Sequence, residues 1–285
     1  MNREILKLAI PNIISNLSVP LLSLVDVALM GHLDSAEYII TIGFGVMIFN
    51  FVYWGFGFLR MGTTGFTAQE FGKKDNRECL LILGRALLIA VAGALLLIAF
   101  KTPLLKLSLL LIGTTPEVNT YVADYFNIRI LAAPATIALF AFTGWFFGMQ
   151  NARIPMIITI AVNLINIGFS YWFVRVAGMK SDGVALGTLI AQYCGLILAL
   201  VFFYKNYRHM LPFWDRLGLF HIGKMKKFLI ANSDIFIRTL CLMFAFSFFR
   251  VQSGKEGVIL CSANFILLEF IMISAYGIDG FSFAA

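Results

Sequence analysis

The chain has 285 residues, of which 60% are hydrophobic and 13% charged, with a mean hydropathy of +0.88. A soluble globular chain carries about 25% charged residues, so a water-soluble domain is excluded and an integral membrane protein is the starting point. The balance of +7 comes from 22 Lys and Arg against 15 Asp and Glu, and the basic residues lie between apolar runs instead of in one block, which speaks for a topological role and against a nucleic-acid partner.

A spanning helix needs about 20 mostly apolar residues, and the chain divides into eight such runs: 5–31, 39–69, 79–101, 119–149, 155–177, 183–204, 226–250 and 257–285. The first follows Arg3, Glu4 and Lys7, is longer than a signal h-region and has no small-residue cleavage site, so it is expected to stay in the protein. Pro11, Pro20 and Pro134 are predicted to bend helices 1 and 4. Connectors such as Gly31-His32-Leu33-Asp34, Gly72-Lys73-Lys74-Asp75 and Lys180-Ser181-Asp182-Gly183 mark the breaks. No stretch alternates in polarity as a membrane barrel strand would. Cys79, Cys194, Cys241 and Cys261 have no ligand spacing and read as inert packing residues.

Alternate connections carry 12 and 6 Lys and Arg, so the positive-inside rule places the N-terminus in the cytoplasm. Residues 205–225, with His209, Trp214, Arg216, His221 and Lys224 among apolar neighbours, read as an interfacial linker. Shifting the chain by 220 positions lays Lys7-Leu8-Ala9-Ile10-Pro11-Asn12 over Lys227-Phe228-Leu229-Ile230-Ala231-Asn232. The expected architecture is an all-α polytopic membrane protein with a six-helix N-terminal lobe (1–204), the linker (205–225) and the first two helices of a second, repeat-related lobe (226–285). Because the chain stops inside helix 8 without a polar tail, a parent of about twelve helices is expected.

Ionisable groups inside spans carry most of the information, since each is costly at the bilayer centre. Asp26 sits in Leu24-Val25-Asp26-Val27-Ala28 with no Lys or Arg within one turn; an acid in such surroundings is suited to carrying a proton. Capping the outer end of helix 1 is the plainer alternative. Asn163, Asn166 and Ser170 fall at i, i+3 and i+7 on one face of helix 5, and Thr188 of helix 6 is placed to close the same cluster. Small polar stripes also glue helices together. Arg60, Arg129, Arg238, Asp124 and Glu269 either line a path or form structural pairs. Asp279, between Gly277 and Gly280, has the stronger functional case, and Arg60 and Met61 are candidate path or substrate contacts. The Phe- and Met-rich face of helix 2 suits flat apolar cations or simply lipid. There is no phosphate-binding loop, dinucleotide fingerprint or HExxH, so no cofactor, no dedicated metal and no enzyme activity are expected. Uphill transport would draw on an ion gradient.

Asp26 with its flanking residues up to Met30-Gly31-His32-Leu33, Ile10-Pro11, Ala68-Gln69-Glu70-Phe71-Gly72, Ile128-Arg129 before Pro134, Gly144 to Gly148 before Asn151-Ala152-Arg153-Ile154-Pro155, and Asn163 to Asn166 together resemble the multidrug and toxic compound extrusion (MATE) transporters. Arg238-Thr239 and Ile278-Asp279-Gly280-Phe281 resemble the DinF-like branch. The resemblance implies twelve helices in two lobes and multidrug efflux by antiport: export of organic cations or other toxic compounds against H⁺ or Na⁺ as the lobes rock. It implies a site in the bacterial cytoplasmic (inner) membrane and ion handling by Asp26 with Asn166 and Thr188. A small cationic substrate and the lipid bilayer are the implied partners, and a monomer is expected. Ser170 stands where the family often has a second acid, which favours proton coupling over Na⁺ bound at Asp26. Two other readings are open. A lipid-linked oligosaccharide flippase of the same superfamily would place several Arg or Lys in its cavity, and a non-transporting multi-helix receptor would need no coupling carboxylate.

Overall fold

The computed structural model describes residues 10–15, 25, 36–113, 115–255 and the single positions 264, 267, 271, 274, 275 and 278. Every regular element among them is helical: α1 (Ala36–Trp54), α2 (Gly57–Gly72), α3 (Asn76–Ala99), α4 (Lys101–Ile112), α5 (Pro116–Arg129), α6 (Ala133–Gly148), α7 (Arg153–Arg175), α8 (Ser181–Tyr207), α9 (Arg216–Leu219) and α10 (Ile222–Lys255). Among the described residues six stretches are long and apolar enough to cross a membrane, and they match predicted spans 2 to 7. The chain is a multi-pass membrane protein. The predicted first and eighth spans lie mostly outside the described residues, although 10–15 of the first are helical.

Local chemistry explains the joints. Asp75 Oδ1 accepts the Glu78 backbone N–H at 2.9 Å and starts α3. Between α5 and α6 the chain tightens into a 3-10 turn, Ile130–Ala132, ahead of Pro134. Proline has no N–H to bond the carbonyl four residues back and its ring crowds that carbonyl, so the predicted distortion of helix 4 falls there. The α1–α2 break sits at Gly55-Phe56, where Phe56 N bonds Tyr53 O. One helix was not expected from the sequence. Residues 102–118 fall between the third and fourth predicted spans, yet α4 forms there, ending at Gly113 with φ of 65°. At 12 residues it is about 18 Å long and too short to span.

The stretch Pro116–Gly148 is the centre of the bundle: 78% of its apolar window is buried, against 17–50% for the other spans. It packs on α2, α3 and α8. Gly144 lets the α6 backbone lie directly on the Arg60 carbonyl of α2, and Thr64 Oγ1 donates to both Arg60 O (2.9 Å) and Gly144 O (3.1 Å). Two apolar clusters fill the interior. One gathers Phe49, Tyr125, Phe126, Leu59 and the small residues Ala86, Ala90 and Ala94 of α3. The other surrounds Trp145, whose Nε1 donates to Cys79 O at 2.8 Å.

Helices α7 and α8 form the closest pair. A Cβ at Gly187 would stand 2.5 Å from Ser170 Oγ and 2.8 Å from Ser170 N. Gly187→Val should therefore force the helices apart at a cost of about 1–3 kcal/mol. The check is the thermal midpoint of the detergent-solubilised protein, and an unchanged midpoint would show that the pair separates freely.

The predicted linker is helical for most of its length and fastened to α3. Helix α8 runs to Tyr207 and continues as a 3-10 turn, Arg208–Phe213; α10 begins at Ile222, earlier than the predicted 226, and runs to Lys255. Trp214 and Leu219 sit against Gly84. Arg85, with its side chain 2% exposed, donates from Nη1 to Glu78 Oε1 (2.7 Å), from Nη2 to Gly218 O (2.7 Å) and from Nε to Leu219 O (3.3 Å). Glu78 Oε2 accepts Lys224 Nζ at 2.6 Å, and Arg77 pairs with Asp215. At the other end of the bundle Lys180 lies over the rings of Tyr38 and Tyr121. A hydrogen bond with the Tyr38 side chain and the nearby Tyr121 push its amine above the ordinary lysine range.

Candidate functional site

Three of the predicted site residues meet inside the α7–α8 pair. Helical spacing puts Asn166 and Ser170 on the face of α7 that turns to α8, and the absence of a side chain at Gly187 brings that face within bonding range of Thr188. Asn166 Nδ2 donates to Thr188 Oγ1 at 2.8 Å, Ser170 Oγ donates to Asn166 Oδ1 at 3.2 Å, and Thr188 Oγ1 donates to Val184 O at 3.0 Å. Asn166, Ser170 and Thr188 are 1%, 0% and 5% exposed. Asn163, one turn away on α7, is half-buried.

Both hydroxyl hydrogens in the trio are committed, so what remains is acceptor capacity and the second N–H of Asn166. Asn166 Oδ1, Ser170 Oγ and Thr188 Oγ1 keep unused lone pairs. The cluster offers neutral oxygens to a proton-bearing or cationic group and contributes no negative charge of its own. Among the described residues no group of three His, Cys, Asp or Glu forms a metal site. A coupling acid has to come from elsewhere. Asp26, the residue predicted for it, lies outside the described residues, as does Asp279.

Arg60 and Met61 belong to a second group, on α2. Arg60 Nη2 donates to Asn12 Oδ1 at 3.2 Å and its guanidinium lies 5.4 Å from the centre of the Phe147 ring. Met61 is partly exposed, with Sδ 3.4 Å from Nη2 of Arg238 on α10. Asn232, at the 220-residue offset from Asn12, is buried against Gly62 and donates to Phe228 O at 2.7 Å. Both repeat-related asparagines thus pack at α2, one through Arg60 and one through Gly62. On the predicted Phe and Met face, Phe49 is buried while Met47 and Phe51 are exposed, as lipid-facing packing requires. A shallow groove of about 350 Å³ between Phe66 and the Gly223–Asp234 part of α10 carries Lys226, Lys227 and Asp234 and holds none of the predicted site residues.

The partners of Arg85 were not expected from the sequence. The signal was present in Glu78 and Arg85, seven residues apart and so on one side of an otherwise apolar helix.

The family model MatE matches residues 11–172. DNA damage-inducible protein F of Escherichia coli (strain K12) is 35% identical over 97% of this chain, which covers 60% of that protein. Multidrug and toxin extrusion protein 1 of Pongo abelii is 29% identical over 99% of this chain, which covers 49% of it. The chain thus spans about half to three-fifths of the length of these relatives. The crystal structure of MATE in the bent conformation superposes with a TM-score of 0.86 at 17% identity, over 99% of this chain and 63% of that one, a likeness of fold.

Proposed function

The chain belongs to the MatE family, the multidrug and toxic compound extrusion transporters, and from that premise we propose that it serves a secondary exporter which moves small organic compounds out of the cell in exchange for protons. Members of the family are transporters, not enzymes. In this reading Asp26 takes up a proton from outside and releases it to the cytoplasm, and Asn166, Ser170 and Thr188 present oxygen acceptors that stabilise the proton-bearing state. Each proton entering gains about 2.3 kcal/mol per 100 mV. The substrate is an organic cation, the membrane the bacterial inner membrane, and the N-terminus cytoplasmic.

The observation that carries the reading is the buried Asn166–Ser170–Thr188 network, three bonded polar side chains without a carboxylate. A site with one acid neutralises one proton fully, whereas Na⁺ would need several neutral ligands around that acid. The test is efflux of a fluorescent cationic dye from vesicles bearing the full-length protein, with pH and Na⁺ gradients imposed separately. Wild type should follow the pH gradient, and Asp26→Asn should abolish pumping while inserting normally. Efflux by the variant equal to wild type at several pH values would end the proposal. The exposed guanidinium of Arg238 beside Met61 favours a second reading, flipping of a lipid-linked anionic substrate, which predicts no dye movement under either gradient.

A further inference from the structure

Between residues 205 and 227 six Lys and Arg stand against one acid, Asp215, and that acid is already paired with Arg77 of α3. Glu78, where α3 meets the linker, is taken up by Arg85 and Lys224. Lys205, Arg208, Lys226 and Lys227 are exposed, and among the described residues no ion pair includes them. Asp234, the next acid along α10, is seven positions and about 10 Å beyond Lys227. Large apolar side chains are exposed in the same stretch: Phe213 at 48%, Phe220 at 64% and Ile222 at 84%.

The bonds to α3 set the depth at which these groups lie. Helix α3 follows the exposed Lys73, Lys74 and Asp75 and begins at Asn76. Asp215 meets Arg77 in its first turn, whereas Trp214 and Leu219 reach Gly84, eight residues and about 12 Å from the start of the helix. At Lys224 the chain comes back towards that start, where it bonds Glu78. A headgroup layer is about 5–8 Å thick, so the apolar part of the linker reaches the acyl boundary and its basic ends stay at headgroup level. We infer that residues 205–227 form a docking surface for anionic phospholipids of the leaflet that they face. Phe220 and Ile222 enter the acyl boundary, and Lys205, Arg208, Lys226 and Lys227 hold headgroup phosphates. A zwitterionic headgroup brings its own ammonium and leaves these cations uncompensated. A water-soluble acidic partner would leave the two apolar side chains in water.

The experiment is thermal unfolding of the full-length protein in mixed micelles, with phosphatidylglycerol or phosphatidylcholine titrated in and, separately, sodium phosphate without lipid at fixed ionic strength. It reads stability, so it succeeds or fails whether or not any dye is pumped. The wild-type midpoint should rise with the logarithm of phosphatidylglycerol and stay flat in phosphatidylcholine and in phosphate. The rise should shrink as sodium chloride goes from about 50 to about 500 mM. Replacing all four basic residues (Lys205→Gln, Arg208→Gln, Lys226→Gln, Lys227→Gln) should raise several-fold the phosphatidylglycerol needed for the same shift, and Phe220→Ser with Ile222→Ser should do so at unchanged charge. Lys101→Gln with Lys106→Gln, on α4, should keep the wild-type response. If the fourfold variant does not fold, the pairs Lys205→Gln with Arg208→Gln and Lys226→Gln with Lys227→Gln replace it. An equal rise with phosphatidylcholine or free phosphate, or an undiminished response in the basic variants, would overturn the surface. So would a midpoint lowered by the same amount in every lipid, which would assign these residues to packing against another part of the full-length chain.

Discussion

Arg85→Met should destabilise the protein by about 3–5 kcal/mol, the loss expected when one partner of a buried ion pair is removed and the other is stranded. Methionine fills much of the same volume, so the effect reports lost bonds more than a cavity. Three acceptors lose their donor together: Glu78 Oε1, the carbonyl of Gly218 and the carbonyl of Leu219. Glu78 keeps Lys224, but that lysine is half-exposed and contributes less. The measurement is the midpoint of thermal unfolding in detergent, compared with Lys224→Met, whose shift should be smaller. Arg85→Lys should recover part of the loss, because an ammonium reaches Glu78 but cannot serve both carbonyls with the same fork. Equal midpoints for Arg85→Met and wild type would show that the linker is not held by this network.

Asn166→Leu should abolish ion-coupled efflux while costing about 1–3 kcal/mol of stability. Leucine is close in size, yet it removes the donor to Thr188 Oγ1 and the acceptor of Ser170 Oγ inside a region from which water is shut out. Ser170 then has a buried hydroxyl with no partner, whereas Thr188 still bonds Val184 O on its own helix. Ser170→Ala and Thr188→Val should accordingly be milder, each deleting one bond of the network. The check pairs efflux under a pH gradient with expression level and thermal midpoint for all three variants. Coupled efflux at wild-type rate in Asn166→Leu would assign the trio to helix packing alone, the plainer role that small polar stripes often have.

How far the sequence disclosed this arrangement varies from residue to residue. Asn166 and Ser170 were legible because a 3.6-residue period by itself sets them on one face. Thr188 was placed with them by reading the next helix against the first, and its closeness depends on Gly187, whose role is visible only when the two backbones are seen together. Spans 2 to 7 were legible from apolar run length, and the joint at Pro134 from the missing N–H. Helix α4 was hidden because residues 102–118 fall between predicted spans, while propensity and the αL stop at Gly113 make a helix there. Arg85 was visible as a charge in an apolar run. Two of its acceptors are main-chain carbonyls more than 130 positions away, which no local pattern discloses.

The clamp at Arg85 also limits how α10 could move. Leu219 is held on α3 and α10 begins at Ile222, so Phe220 and His221 are the whole slack between them, about 10 Å when pulled straight. A leash this short makes the end of α10 that holds Lys224 a pivot. Helix α10 has 34 residues and is about 51 Å long. Turning it by roughly 20° about that pivot would carry its far tip through about 18 Å while Lys224 stayed close to Glu78. The same few bonds that fasten the linker would act as the fulcrum of a lever, with nearly all of the travel delivered at the opposite face.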